Sequence, residues 1–419
     1  MSKVDLEDGI PSYRDFVRFR TQNPCISGLS QHLERQYQGA SNIVLMDYPQ
    51  DGSRQSEPDL LPVTEDDFVE VVSATPAATT RLLFIENINT QLISLLGEIL
   101  DVDPIFFADH VNTNFEDIEN APPPPSLAML PSMISKRGHL HLHYQQVLDL
   151  GGADIFANAK YALKTDSNIP RNIRRLAPLS GRQLALARMC CSLLVKNIGR
   201  SCICVILVDR PVTSVVEELS AGGRKAYQAK PLHGGFEDFG PSQSFSSFTR
   251  NKDNETWDKD SMLGSLLYYF QTQTPPGFKV SSPSILGLGY YPIRIVLAEW
   301  NLYMHLISRY SKYYEYSIQD ITNRLHDNDI IDLQRWRRRS KQSRHKLTIL
   351  AEFVDYWMQH EDDKETWNLV LKDINYLQQQ LQCYNQSLEQ MVAMATSMVQ
   401  LLDSRRSILE AINVRRLTS

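Results

Sequence analysis

Three histidines at alternate positions form the most distinct set of possible metal ligands in this sequence. His139, His141 and His143 are separated by Leu140 and Leu142. In a β-strand, alternate side chains point to the same face, so the three imidazoles are expected to lie together. Two histidines with this spacing can share a metal ion when another segment supplies a third ligand. The same pattern is typical of a half-buried strand whose polar face is solvated, and this is the interpretation that we favour.

A cluster of arginines around Trp336 is the strongest charge feature of the chain. It consists of Arg335, Arg337, Arg338 and Arg339. Such a cluster can bind nucleic acid, anionic lipid or an acidic protein surface. The whole chain, however, has 43 basic and 49 acidic residues and a net charge of −6, whereas nucleic-acid-binding domains usually carry excess positive charge. We therefore predict no specific nucleic-acid partner, and we expect the arginines at a helix end or an interhelical turn, solvated or paired with the acids at 361–363.

Motifs of common enzyme classes do not occur in the chain. There is no Gly-x-x-x-x-Gly-Lys phosphate-binding loop, no Gly-x-Ser-x-Gly nucleophile turn and no His-Glu-x-x-His zinc motif. The six cysteines include no Cys-x-x-Cys pair, so we expect reduced and mostly buried thiols. The sequence therefore predicts no catalytic residue and no enzyme. A metal-binding enzyme that uses the histidine strand stays as an alternative.

No segment of the sequence is suited to crossing a membrane. Hydrophobic residues make up 42% of the 419 positions, which is enough for a folded core. The longest apolar run covers only residues 202–208, whereas a helix that crosses a bilayer needs roughly 18 to 20 apolar residues. The N-terminus also lacks a hydrophobic signal core. We expect a soluble, cytoplasmic chain.

Strand and helix patterns alternate through the first half of the chain. Apolar runs at 81–85 and 202–208 are typical of buried strands, and residues 91–100 have apolar positions at helical spacing. Alternating strands and helices predict an α+β fold, in which long helices follow an α/β/α domain with a mixed sheet. The predicted divisions are a partly irregular N-terminal extension (1–80), the α/β domain (81–221), a flexible insertion or linker (222–260), a helical region (261–362) and a stalk helix (363–419).

Apolar residues recur in steps of three and four through the stalk segment. A heptad repeat of this length predicts one helix with a coiled-coil seam. At about 1.5 Å per residue, a helix over residues 364–417 would be roughly 80 Å long. Such a helix must project or pack along a partner, so we expect a homo-oligomer. The predicted oligomer seam consists of Ile374, Leu377, Leu381, Tyr384, Leu388, Met391, Met398 and Leu402.

Several segments, taken in order, resemble a known family. They are Leu-Leu-Phe-Ile-Glu-Asn-Ile at 82–88, Val-Asp-Pro-Ile-Phe-Phe-Ala-Asp-His at 102–110, Arg-Ile-Val-Leu-Ala-Glu-Trp at 294–300, Gln-Arg-Trp-Arg-Arg-Arg at 334–339 and the closing residues 402–419. From Arg81 to its end, the chain resembles the fungal branch of CorA-like magnesium transporter proteins. The resemblance depends on the order of the segments rather than on any single motif.

The resemblance implies a cytosolic domain that leads into a long helix, assembled as a pentamer with regulatory magnesium at the subunit interfaces. Arg405, Arg406, Arg415 and Arg416 would then lie beside the membrane. The family's two transmembrane helices and their Gly-Met-Asn motif are absent from this chain. It is therefore expected not to conduct ions by itself, and to meet a membrane only through the missing C-terminal hairpin or through anionic lipid at its basic residues.

The resemblance thus implies the cytosolic regulatory and oligomerisation portion of a divalent metal ion transporter. An alternative is a soluble interaction or scaffold protein that kept the fold and uses the stalk helix and the basic cluster to bind partners.

Overall fold

A computed structural model describes residues 11–20, 27–35, 39–50, 58–111, 138–219, 222–232, 258–319 and 327–418. Within these ranges, one mixed sheet is followed by long C-terminal helices, which confirms the predicted α+β class. Most of the predicted linker, residues 233–257, lies outside them. No helix in the described ranges is long and apolar enough to cross a membrane.

The sheet contains eleven strands in the part of the chain that the structure describes. Their order is β10-β9-β5-β6-β7-β8-β3-β1-β2, with β4 paired to β7 and to β11. β3 and β8 are parallel, and the other pairs are antiparallel. The strands are β1 (Asn42–Pro49), β2 (Leu61–Val63), β3 (Thr79–Glu86), β4 (His139–Gly152), β5 (Ala162–Thr165), β6 (Asn172–Arg175), β7 (Arg182–Ile198), β8 (Ser201–Val208), β9 (Ser214–Glu218), β10 (Arg224–Gln228) and β11 (Lys230–Pro231).

Helices cover both faces of this sheet. One face packs against α1 (Tyr13–Arg20), α2 (Ser27–Leu33), α3 (Phe68–Ser73), α4 (Thr90–Ile99) and α5 (Pro104–Val111), and the other against α6 (Met262–Thr272), α7 (Ile285–Gln319), α8 (Asp327–Met358) and α9 (Lys364–Thr418). Successive residues of β3 alternate between the two cores: Leu82 faces the C-terminal helices, and Leu83 faces the N-terminal ones. Because a strand between two cores buries both of its faces, it appears in the sequence as a continuous apolar run.

The N-terminal residues contribute to the sheet and to one of its cores. β1 lies within the predicted extension 1–80, yet it pairs along its whole length with β3. α1 packs on α4 at Gly97, where a Cβ atom would collide with the ring of Tyr13. The Tyr13 hydroxyl donates to the carbonyl of Val102 at 2.8 Å. The folded unit therefore includes residues of the predicted N-terminal extension, well before residue 81. Likewise, β10 and β11 place part of the predicted linker, within residues 224–231, in the sheet.

The four cysteines of β7 and β8 are buried, as predicted for reduced thiols. Cys190, Cys191, Cys202 and Cys204 have free thiols, and Cys383 is free and exposed. Cys25 lies outside the described residues.

α9 is one continuous helix of 55 residues. Its first part packs on α7 and α8 of the same chain. Of the predicted seam, Ile374, Leu377, Leu381 and Leu388 are buried there, and Tyr384, Met391 and Met398 are partly buried. Leu402 lies beyond this cover with an exposed side chain, and the exposure continues to Val414. Most of the heptad seam is thus covered by α7 and α8 of the same chain. The remaining apolar surface is exposed at the distal end of α9.

A carboxylic acid lies within the helical core. Glu299 is on α7, which packs on β4, and burial raises the pKa of its carboxyl from 4.5 to about 8. Its Oε2 accepts no hydrogen bond from any residue that the structure describes. Folded Glu299 is therefore protonated at neutral pH, whereas in the unfolded chain the same group ionises.

We predict that Glu299→Gln stabilises the protein more at pH 8 than at pH 5. Between pH 4.5 and 8 the folded state holds a proton that the unfolded state has lost, so the free energy of unfolding falls as the pH rises. The slope is at most about 1.4 kcal/mol per pH unit, and glutamine removes it. Urea unfolding at several pH values measures the effect. Glu410→Gln, at the exposed end of α9, is the control, and an equal pH dependence in both variants would contradict the prediction.

Candidate metal centre

The three histidines of β4 lie beneath α5 and not in solvent. His139 is 9% exposed, and the His141 side chain is 8% exposed. Phe106 of α5 covers both, with ring centroids 5.6 Å from His139 and 5.3 Å from His141. The favoured interpretation of a solvated polar face is therefore wrong. The leucines between the histidines face the other core, so β4 is covered on both sides like the central strands.

α5 supplies the acidic member of the site. The helix begins at Pro104, a residue that suits a first helical turn, and the Asp103 carboxylate accepts the Ile105 N–H at 3.0 Å. One turn later Asp109, only 4% exposed, faces the sheet. Its Oδ2 lies 3.8 Å from Nε2 of His141.

Asp109, His139 and His141 together form a group of potential metal ligands. Each side chain offers one ligand atom, and these three atoms all lie within 4.8 Å of one another. The structure thus brings two of the predicted histidines together with an aspartate that the sequence analysis did not select. His143 is not a member of this group, although its ring is stacked 6.3 Å from that of His141. The sequence signal for Asp109 is its position as an acid directly after the apolar residues Phe106 to Ala108.

Ser192 of β7 connects two of the imidazoles. It lies directly opposite His141 in the antiparallel register, so the two side chains share a face. Its Oγ is 2.7 Å from Nδ1 of His141 and 2.7 Å from Nδ1 of His110. A hydroxyl has one proton to donate, so it donates to at most one of these imidazoles and accepts from the other or from both. When His141 donates its Nδ1–H to Ser192, the lone pair of His141 is on Nε2, the nitrogen that faces Asp109.

Three buried titratable groups beside Ser192 and His141 are uncharged at neutral pH. Burial lowers the pKa values of His110 and His143 well below the usual range. Burial also raises the pKa of Cys190, which lies 3.5 Å from Ser192, to about 12. The imidazoles of His110 and His143 are therefore neutral, and the Cys190 thiol is protonated.

A buried ion pair holds α5 on the sheet. Arg171 donates from Nε and Nη2 to Asp209, with the shortest distance at 2.7 Å. The same carboxylate accepts the backbone N–H of Cys190 at 2.7 Å. Arg171 also donates from Nη1 to the carbonyl of His110 at 2.8 Å. The Arg171–Asp209 pair thus links the end of α5, next to Asp109, to β7 and to the end of β8.

The predicted basic cluster lies elsewhere, inside α8. Arg335 stacks 3.7 Å from the ring centroid of Tyr161 and pairs with Asp332 at 2.7 Å, and Arg339 bonds to the Tyr161 hydroxyl. Arg337 is half-buried and Arg338 is exposed. The expectation of a helix end or an interhelical turn was wrong, because α8 continues through the cluster to Met358. Of the acids at 361–363, Asp362 pairs with Lys279 at 2.6 Å and not with these arginines.

Together, the fold and this site define an α+β protein with a two-sided mixed sheet, a long helical stalk and a buried histidine–aspartate cluster. No protein-family model matches the chain, and no curated protein matches it. Among solved structures, it is similar to one described as the structure of the full-length CmaX protein. The identity is 12% and the TM-score 0.41, and the match covers 90% of this chain and 84% of that chain. A likeness at this level supports neither a family nor a function.

We predict that Asp209→Asn destabilises the protein by about 3–5 kcal/mol, because it leaves the buried Arg171 guanidinium without its counter-charge. The matched control is Asp103→Asn, whose carboxylate pairs with Arg20 at an exposed position and whose loss should cost less than about 1 kcal/mol. Denaturant unfolding of both variants measures the difference. A similar loss of unfolding free energy in the two variants would show that the buried Arg171–Asp209 pair matters no more for stability than the exposed pair.

Proposed function

We propose that this chain is the cytosolic, oligomerising portion of a CorA-like divalent-cation transport system, assembled through the distal end of α9. One observation carries the assembly: the apolar stripe of α9 continues past the cover of α8 and is exposed. The sequence resemblance supplies the class of system. In this proposal, the sheet domain is the regulatory part, and the distal helix is where neighbouring copies meet.

The apolar stripe at this end of α9 follows a heptad repeat, which starts at buried or partly buried residues such as Ala395 and Met398 and becomes exposed from Leu401 onward. Three sets of residues lie side by side on the helix, and within each set the residues are seven positions apart. All of them except Arg405 are apolar. They are Met394, Leu401 and Ile408; Ala395, Leu402 and Leu409; and Met398, Arg405 and Ile412. Leu401, Ile408 and Leu409 are each about 60% exposed. Because a surface of this kind is costly in water, it favours burial against another helix.

The width of the stripe favours several copies over two. Two apolar positions in each heptad suffice for a two-stranded coiled coil, whereas about three in seven suit a bundle in which each helix has more than one neighbour. This agrees with the pentamer that the resemblance implies. Arg405 interrupts the seam, and a single charged residue in an apolar seam lowers stability while it fixes register and strand number.

Light scattering on the full chain tests the assembly. We expect the unmodified protein to form an oligomer of three or more copies, and Leu402→Glu with Leu409→Glu to reduce it to monomers. Each buried leucine contributes about 1.5–3 kcal/mol, and the introduced carboxylates would repel one another in the seam. The matched control is Gln400→Glu with Ser407→Glu, which adds the same charge on the opposite face of the same turns and should leave the mass unchanged.

Two results would contradict the proposal in different ways. A monomeric unmodified chain at the highest soluble concentration, with and without magnesium, overturns assembly through α9. If the seam variant disrupts the oligomer but magnesium does not change the oligomer's stability, assembly through α9 stands. The proposed regulatory role of the sheet domain is then overturned. Far-UV circular dichroism of each variant shows that the helix content is retained.

A further inference from the structure

We propose that Asp109, His139 and His141 bind one divalent transition-metal ion of the Zn²⁺ class, with a fourth position left for water or a small ligand. This site lies inside the sheet domain, and it is independent of the assembly through α9. It is also distinct from the regulatory magnesium that the sequence resemblance implies.

The donor set selects the class of metal. Imidazole nitrogens suit zinc and its neighbours, whereas magnesium prefers oxygen ligands. In a tetrahedral zinc site, neighbouring ligand atoms are about 3.3 Å apart, given metal–nitrogen bonds of about 2.0–2.1 Å. Ligand atoms that already lie within 4.8 Å of one another therefore need only small side-chain rotations to meet around one ion. Three protein ligands with one open position are typical of zinc sites that keep a bound water.

The surroundings orient the ligands as a metal site requires. Metal-binding histidines usually donate their second ring N–H to a neighbouring acceptor, which fixes the ring and its tautomer. Ser192 lies at hydrogen-bond distance from Nδ1 of His141 and is in the position of that acceptor. Phe106 covers both histidine rings, and Asp109 is itself buried. A cation in this enclosure would offset the cost of burying the carboxylate.

The site also has a structural consequence. Asp109 belongs to α5, and the two histidines belong to β4. A bound ion would join the two elements directly, in addition to the Arg171 link between the end of α5 and β7. Metal binding should therefore raise the thermal stability of the folded chain, because the unfolded chain does not hold the three ligands together.

The experiment uses the full chain, stripped with a chelator and dialysed. Zinc titration against a chromophoric chelator and elemental analysis should give one ion per chain. Asp109→Asn and His141→Gln should each weaken zinc binding at least about 100-fold, and Ser192→Ala should weaken it about 10- to 100-fold. The matched controls are Asp103→Asn, an exposed aspartate just before the same helix, and His143→Gln, on the same face of the same strand. Both should keep the affinity of the unmodified chain.

Cobalt substitution gives a second measurement on the unmodified chain, which does not depend on whether a variant folds. Co²⁺ bound to two imidazoles and a carboxylate should show visible absorption bands of tetrahedral type, without the intense charge-transfer band of a thiolate ligand. Added zinc should remove these bands, and magnesium should not. The proposal is overturned if the unmodified chain binds no zinc or cobalt, or if Asp109→Asn and Asp103→Asn bind zinc equally well.

Discussion

The burial of the sheet on both faces is the constraint on which the rest of the structure depends. β3 and β8 have apolar side chains on each side, and the parallel pairing between them is covered by helices above and below. Such strands are stable only when both helical layers are present. The N-terminal helices and the long C-terminal helices therefore belong to one folded unit, even though most of the sequence that connects β11 to α6 lies outside the described residues.

The same constraint explains the histidine cluster. A polar strand face that is covered by a helix must satisfy its hydrogen bonds inside the protein. On β4, His141 does so through Ser192, which lies opposite it in the antiparallel register at 2.7 Å. Burial keeps the pKa of His143 low, so the ring stays neutral and avoids the larger cost of a buried charge. The fold thus brings Asp109, His139 and His141 together in a place from which most water is excluded.

Much of the fold was predictable, since it depends on local patterns. The runs at 81–85 and 202–208 are strands, residues 91–100 lie almost entirely in α4, and the heptad repeat is one helix. The patterns did not show which elements of the chain pack against one another. A heptad repeat shows which face of α9 is apolar, but not that α7 and α8 of the same chain cover most of it. Similarly, the alternation at 139–143 placed three histidines on one face, but neither the cover by α5 nor Asp109, thirty residues from His139, can be derived from the strand itself.

The change of environment along α9 has a further consequence. Up to Met398 the helix is held by its neighbours in the chain, whereas residues 401–414 are exposed on every side of the isolated protein. Short helices without tertiary contacts are only marginally stable in water, because nucleation is costly and few hydrogen bonds offset it. If the chain associates through the last turns of α9, their helix–coil equilibrium would be thermodynamically linked to that association. Any partner that covers these turns would gain affinity from contact, and would lose part of it to the entropy of ordering the backbone.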